Sequence, residues 1–138
     1  MTDSRIKKWL ISANNDFMAA GNLLFVEKDK IITNVICYLA QQSCEKFLKA
    51  FLLFKTAPFP KTHNLELLIE KCKQADAEFP DLDTGRLTSY NISMRYPDEF
   101  RFPSIDEAKE SYVSSKSVRN TVLDRMNISE NDITLFDN

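Results

Sequence analysis

Glycine is almost missing from this chain: there are 2 in 138 residues, and both are expected in the breaks between helical stretches. An all-β protein needs many tight turns, and tight turns lean on glycine, so the scarcity argues against that class. Histidine is rarer still, with His63 alone. One histidine and unclustered cysteines make no metal-ligand set, and no metal or other cofactor is expected. No glycine-rich phosphate loop occurs, which excludes a P-loop or Rossmann nucleotide site. No apolar run is long enough for a membrane span. The first residues, Met1-Thr2-Asp3-Ser4-Arg5, lack a signal-peptide pattern, so the expected location is the cytoplasm. An excess of either charge is missing too. With 18 Lys and Arg against 20 Asp and Glu, the formal net charge is −2 and no general basic field gathers nucleic acid. Phosphate binding would have to come from a local patch.

The cysteines are Cys37, Cys44 and Cys72. An odd count without a secretory leader reads as reduced thiols. Cys37 and Cys44 are two helical turns apart, roughly 10 Å, and cannot bridge within one helix. Their expected place is the core. The Asn-Ile-Ser sequons at Asn91 and Asn127 carry no meaning without secretion.

What the chain does have is helical periodicity. Its 43% hydrophobic and 28% charged residues are ordinary for a globular domain. Its length suits one domain, able to bury about two thirds of its unfolded surface without staples. A first helix is expected from about Ser4 to Lys28, with Ile6, Trp9, Leu10, Ala13, Phe17, Ala20 and Leu24 at three- and four-residue steps. A second runs from about Thr33 to Lys55. Its last turns are apolar all round, which implies burial or a partner, and the segment Ala57-Pro-Phe-Pro60 stops it. A third follows Thr62 or Asn64 as N-cap and ends at Pro80; a fourth starts at Asp83 or Thr84, buries Leu87, Tyr90 and Met94, and ends at Pro97. Ser104-Ile-Asp-Glu107 fits a capping box opening a fifth helix to about Met126. The fold class is therefore all-α: a five-helix up-and-down antiparallel bundle over residues 1–126, with a C-terminal tail, 127–138, that is loose or docked by Ile133, Leu135 and Phe136.

Two polar clusters could carry chemistry. On the second helix Gln41, Glu45 and Lys49 share a face, with Gln42 and Lys46 beside them. Spacing alone favours a solvated face with a Glu45–Lys49 pair contributing a few tenths of a kcal/mol. The sharper reading is a polar groove in which Lys46 or Lys49 meets an anion. The second cluster is Arg95, Tyr96 and Arg101 with Phe100 and Phe102. These arginines could satisfy helix-end carbonyls, or hold a phosphate while a ring stacks on a base, although Asp98 and Glu99 reduce the charge.

Trp9 with Ala13, Asp16 and Ala20, then Gln41-Gln-Ser-Cys-Glu-Lys-Phe-Leu-Lys-Ala50, Lys61-Thr-His-Asn-Leu65 and Arg95-Tyr-Pro-Asp98, resemble in order and spacing the HEPN domain (higher eukaryotes and prokaryotes nucleotide-binding). The resemblance covers about residues 4–126. It implies a bundle that often forms a homodimer. Many members pair with a minimal nucleotidyltransferase, others are ribonucleases or toxins, and some bind nucleotides without cutting. The ribonuclease members carry an arginine followed after four to six residues by a histidine. Here the positions that would hold that arginine before His63 are Thr56, Ala57 and Pro58, so the pair is absent. Cleavage without a metal needs a group that moves a proton near neutral pH, usually histidine.

The expected function is accordingly a non-catalytic, dimeric module that binds a nucleotide or RNA phosphate through Lys46, Lys49, His63, Arg95, Tyr96 and Arg101, with no catalytic residue assigned. A minimal nucleotidyltransferase is a candidate partner. The alternatives are a pure protein-interaction module, or a ribonuclease with an atypical site built from Arg95, Tyr96 and His63.

Overall fold

A computed structural model describes residues 3–90 and 101–133 of the chain. Among these residues there are four α-helices: α1 (Ser4–Leu24), α2 (Thr33–Phe54), α3 (Leu65–Ala75) and α4 (Ile105–Met126). Short 3-10 turns lie at Lys28–Lys30, Leu87–Ser89 and Glu130–Ile133. The all-helical bundle stands, but the described residues hold four helices rather than five. The stretch expected as the fourth begins as a turn: Asp83 Oδ1 accepts from Gly85 N at 2.8 Å, and Gly85 takes φ +56°. The 3-10 turn at Leu87–Ser89 follows. The rest of that stretch, with Met94 and Pro97, lies outside the described residues.

The helix ends follow the chemistry of the sequence. Asp3 caps α1 by accepting from Ile6 N, Asn64 caps α3 through Leu67 N, and Ser104 caps α4 through Glu107 N. Each supplies an acceptor for a backbone donor that has none inside the helix. The prolines after α2 are not its immediate stop. The helix closes earlier, at Thr56, where φ is +56°; Ala57 N bonds Leu52 O at 2.9 Å and Thr56 N bonds Leu53 O at 3.0 Å. These two bonds are a Schellman closure with threonine where glycine is usual.

The direction of the helices departs from simple alternation. α1 and α4 are antiparallel, since Gly21 meets Tyr112 while Asn14 meets Arg119. α3 runs in the same sense as α2: Gln41 bonds the His63 carbonyl just before α3, and Cys72 near its end donates to the Leu48 carbonyl. α4 shares that sense. Ser111, early in α4, meets Cys37, early in α2, whereas Arg125 at its end pairs with Asp76, which feels the charge of Lys55 just past α2. The returns are made by residues 55–64 and 76–90. Proline at 58, 60 and 80 bars a continuous helix there.

The core lies along α2. Phe47, Leu48, Ala50, Phe51 and Leu52 are each 0% exposed. Burying a Phe or Leu side chain contributes about 1.5–3 kcal/mol, so this end of α2 is a main source of stability. Its all-round apolar character is met inside the chain, by α1, α3, α4 and Phe79, whose ring lies 4.9 Å from Phe51. Gly21 is a correction. It stands inside α1 rather than in a break, because α4 passes so close that a Cβ there would meet the Tyr112 ring at 3.1 Å. The tail docks through Ile133, which is 1% exposed; Leu135 and Phe136 lie outside the described residues.

Candidate functional site

The polar face of α2 is buried. Cys37, Gln41, Glu45 and Lys49 follow one another at i, i+4 spacing and form a line along one side of the helix, none more than 7% exposed. Segment 55–64 covers the Gln41–Lys49 part of this line as it runs back from the end of α2, while Ser111 of α4 meets Cys37. Phe59 anchors the segment edge-on to Trp9, with ring centres 5.9 Å apart, and lies 5.7 Å from Lys49 Nζ. Four residues later His63 reaches Glu45. The solvated face expected from spacing is thus replaced by a covered one, while the Glu45–Lys49 pair itself is present at 3.0 Å.

Glu45 is the hub. One carboxylate oxygen accepts from Lys49; the other meets His63 Nδ1 at 2.8 Å and Gln41 Nε2 at 3.2 Å. Burial pushes the Glu45 carboxyl up, but hydrogen bonds from His63, Lys49 and Gln41, with the Lys49 charge, outweigh it and hold it below the usual carboxylate range. An ionised carboxylate only accepts, so His63 Nδ1 carries the proton in this bond. The His63 side chain remains 56% exposed. With Nδ1 held by Glu45, Nε2 is left for other partners, as an acceptor in the neutral ring and as a donor in the charged one. Gln41 completes the arrangement by donating to the His63 carbonyl at 3.3 Å and accepting from Gln42 at 2.7 Å.

Of the residues singled out from sequence, the structure brings Lys49 and His63 together on Glu45. Lys46 points to another flank, where it bonds Ser12 at 2.9 Å and Asp16 at 2.7 Å on α1. Arg101 is separate as well: it makes a two-pronged pair with Glu107, at 2.7 and 3.2 Å, and Tyr90 and Arg86 share that carboxylate. The Arg101 side of that pair keeps Glu107 below the usual carboxylate range. Arg95 and Tyr96 lie outside the described residues.

Sequence reasoning missed Glu45 as the centre, Phe59 as the cover and Arg119 altogether. Arg119 is 5% exposed, donates to Asn14 Oδ1 at 2.8 Å, pairs with Glu130 at 2.8 Å and lies 4.9 Å from the Phe17 ring centre. A signal existed. The apolar stripe of this helix runs from Ser115 to Val122 with a gap, and position 119 fills it.

The thiols are shielded in the folded chain. All of Cys37, Cys44 and Cys72 are buried. Desolvation raises each, pushing Cys72 up to about 12 and leaving little thiolate. Among the described residues no group of His, Cys, Asp and Glu could hold a metal ion, and no helix is long and apolar enough to cross a membrane.

No curated protein matches this chain, and neither does any solved structure. The sequence model of the HEPN domain matches residues 6–126, a span that contains all four helices but for the first two residues of α1, the return segment with His63, and the buried line on α2. The chain belongs to the HEPN domain family.

Proposed function

We propose that this HEPN-domain chain is a binding module for a nucleotide or an RNA phosphate and does not cut its ligand. The observation that carries the reading is the His63–Glu45 bond: a buried, ionised carboxylate holds Nδ1 while the His63 side chain stays more than half exposed. A protonated imidazole held in this way is an oriented donor to a phosphate oxygen. Lys49 and Gln41 fix the Glu45 carboxylate that holds the ring, and Lys61 lies two residues away on the same segment. Arg95, Tyr96, Arg101 and Lys46 remain candidates for further ligand contacts on the sequence pattern alone. The absence of the arginine–histidine pair used by ribonuclease members supports binding without cleavage.

The test is thermal unfolding with millimolar nucleotides and short RNA. Ligand at many times its dissociation constant must raise the midpoint. His63→Ala should abolish the rise; its unliganded midpoint falls as well, because buried Glu45 loses a hydrogen-bond partner, so each ligand shift is read against the variant's own unliganded midpoint. No rise with any nucleotide or RNA overturns the reading. Cleavage of labelled tRNA by the wild type and not by His63→Ala would favour an atypical ribonuclease instead, since a histidine oriented by a carboxylate is also a proton-transfer device.

Pairing with a second copy or with a minimal nucleotidyltransferase is part of the proposal. Phe25, Val26 and Ile32, at the turn between α1 and α2, are 73%, 45% and 48% exposed, which suits a protein surface. A strict monomer by light scattering at high concentration, with no co-purifying partner, counts against it.

A further inference from the structure

Trp9 and Asp16 belong to the sequence pattern on α1, yet neither reaches the His63 site. Trp9 instead forms a wall of a small open cleft of about 270 Å³ with Lys8, Ser12 and Lys46. We propose that this cleft is a nucleotide subsite, in which Trp9 stacks on a base and Lys8 meets the adjoining phosphate. The inference rests on the reading of the chain as a nucleotide- or RNA-binding module and adds a second contact point to it.

Three observations carry it. First, Trp9 is held as a fixed platform. It is partly buried against the core, and Phe59 packs edge-on to it at an interplanar angle of 74°. A preset ring loses little freedom when a base stacks on it. Second, the two lysines differ in role. Lys46 is bound to Asp16 and Ser12, so its ammonium is positioned and largely neutralised. Lys8 is exposed at the rim, and Arg5, one turn earlier, is exposed too. Their charges outweigh Asp16 and give this flank the local positive field that the net charge of −2 denies the whole chain. Third, the cleft is joined to the His63 site through one run of contacts. Phe59 touches Trp9 on one side and lies over Lys49 on the other, and Lys49 leads through Glu45 to His63. Phe59 and His63 are four residues apart, so the two contact points flank a single short stretch of backbone, at most about 14 Å long. A single strand crossing residues 59–63 would meet both. The cleft is close to the lower end of small-molecule pockets, which suits one base rather than a whole dinucleotide.

Trp9 is the only tryptophan in the chain, so all tryptophan emission arises at this cleft. Purified full chain is titrated with AMP, ribose 5-phosphate and a short labelled single-stranded RNA, reading Trp9 emission and the anisotropy of the label side by side. Quenching by AMP and RNA but not by ribose 5-phosphate is expected. Quenching by RNA alone would place the subsite on a strand rather than on a free nucleotide. Trp9→Ala should weaken RNA binding roughly tenfold. Because Trp9 packs on the core, Lys8→Glu at the exposed rim is the second variant; it should weaken binding and reduce quenching while circular dichroism stays unchanged. RNA binding with unaltered Trp9 emission, and equal affinity in Lys8→Glu, would overturn the subsite while leaving the His63 reading intact. Quenching that survives in His63→Ala would support the subsite and count against His63. No change in either signal removes both.

Discussion

Glu45 and Lys49 stand one turn apart on α2 and pair at 3.0 Å, with side chains 8% and 9% exposed. A pair of this spacing on a helix surface contributes about 0.3–0.5 kcal/mol. Burial changes both the size and the sign structure of the effect. Glu45→Leu strands the Lys49 ammonium under segment 55–64 and should cost about 3–5 kcal/mol. Adding Lys49→Met to that variant removes the stranded charge and should recover a large part of the loss, because an apolar replacement of a buried pair is often near neutral. Urea unfolding of the wild type, both single variants and the double variant checks this. Losses that simply add would show that the two charges do not depend on each other.

The same carboxylate makes stability fall in acid. Glu45 is held below its ordinary value, as are Asp76, chiefly by the backbone N–H of Glu78 and then by Arg125, and Glu107, chiefly by Arg101. A depressed carboxyl stabilises the fold fully above its unfolded value, about 4.3 for Glu, and loses that contribution as pH falls through its folded value. The melting temperature should therefore drop steeply below about pH 4. Glu45→Gln should start lower at pH 7 and show a shallower acid slope. Asp76 and Glu107 keep some slope in the variant. An identical slope in wild type and Glu45→Gln would show that Glu45 is not held ionised by His63 and Lys49.

Much of the fold was legible because local rules set it. The ends of α2 and α4 fall within a residue or so of the positions periodicity and capping gave, and the i, i+4 line Gln41–Glu45–Lys49 was visible as a shared face. Whether that face meets water is a different matter. It depends on Phe59 finding Trp9, and on His63 finding Glu45, across long sequence separations that spacing does not encode. Gly21 misled for a related reason: its place in α1 reflects the Tyr112 ring, 91 residues later, and not its helix propensity. The direction of α3 was hidden because helical residues alone do not show that residues 55–64 make the return.

Thr56 carries a local strain that a single change should relieve. It is β-branched and sits at φ +56°, in the left-handed region that costs most L-residues about 1–2 kcal/mol. Its exposure means that the side chain contributes little packing. Thr56→Gly should gain up to about 1 kcal/mol, the relief being partly offset by the greater freedom glycine has when unfolded. A rise of roughly 2–4 °C in melting temperature is expected. A fall would mean that the threonine side chain holds segment 55–64 in place.

Arg119 separates a strong contact from a weak one within one side chain. Its guanidinium donates to buried Asn14, lies 4.9 Å from the Phe17 ring centre and pairs with Glu130, whose own side chain is 71% exposed. The Glu130 arm is open to water and salt, so Glu130→Ala should cost under about 1 kcal/mol. Removing the arginine is different in kind. Arg119→Ala leaves a void between α1 and α4 beside Phe17 and strips Asn14 Oδ1 of its donor where water is scarce, and should cost about 3 kcal/mol or more. Arg119→Met refills the space without the donor and should fall between the two. Urea unfolding of the three variants gives the order directly. If Glu130→Ala matched Arg119→Ala, the 3-10 turn at Glu130–Ile133 would be what holds α1 against α4, and the Asn14 bond would be secondary.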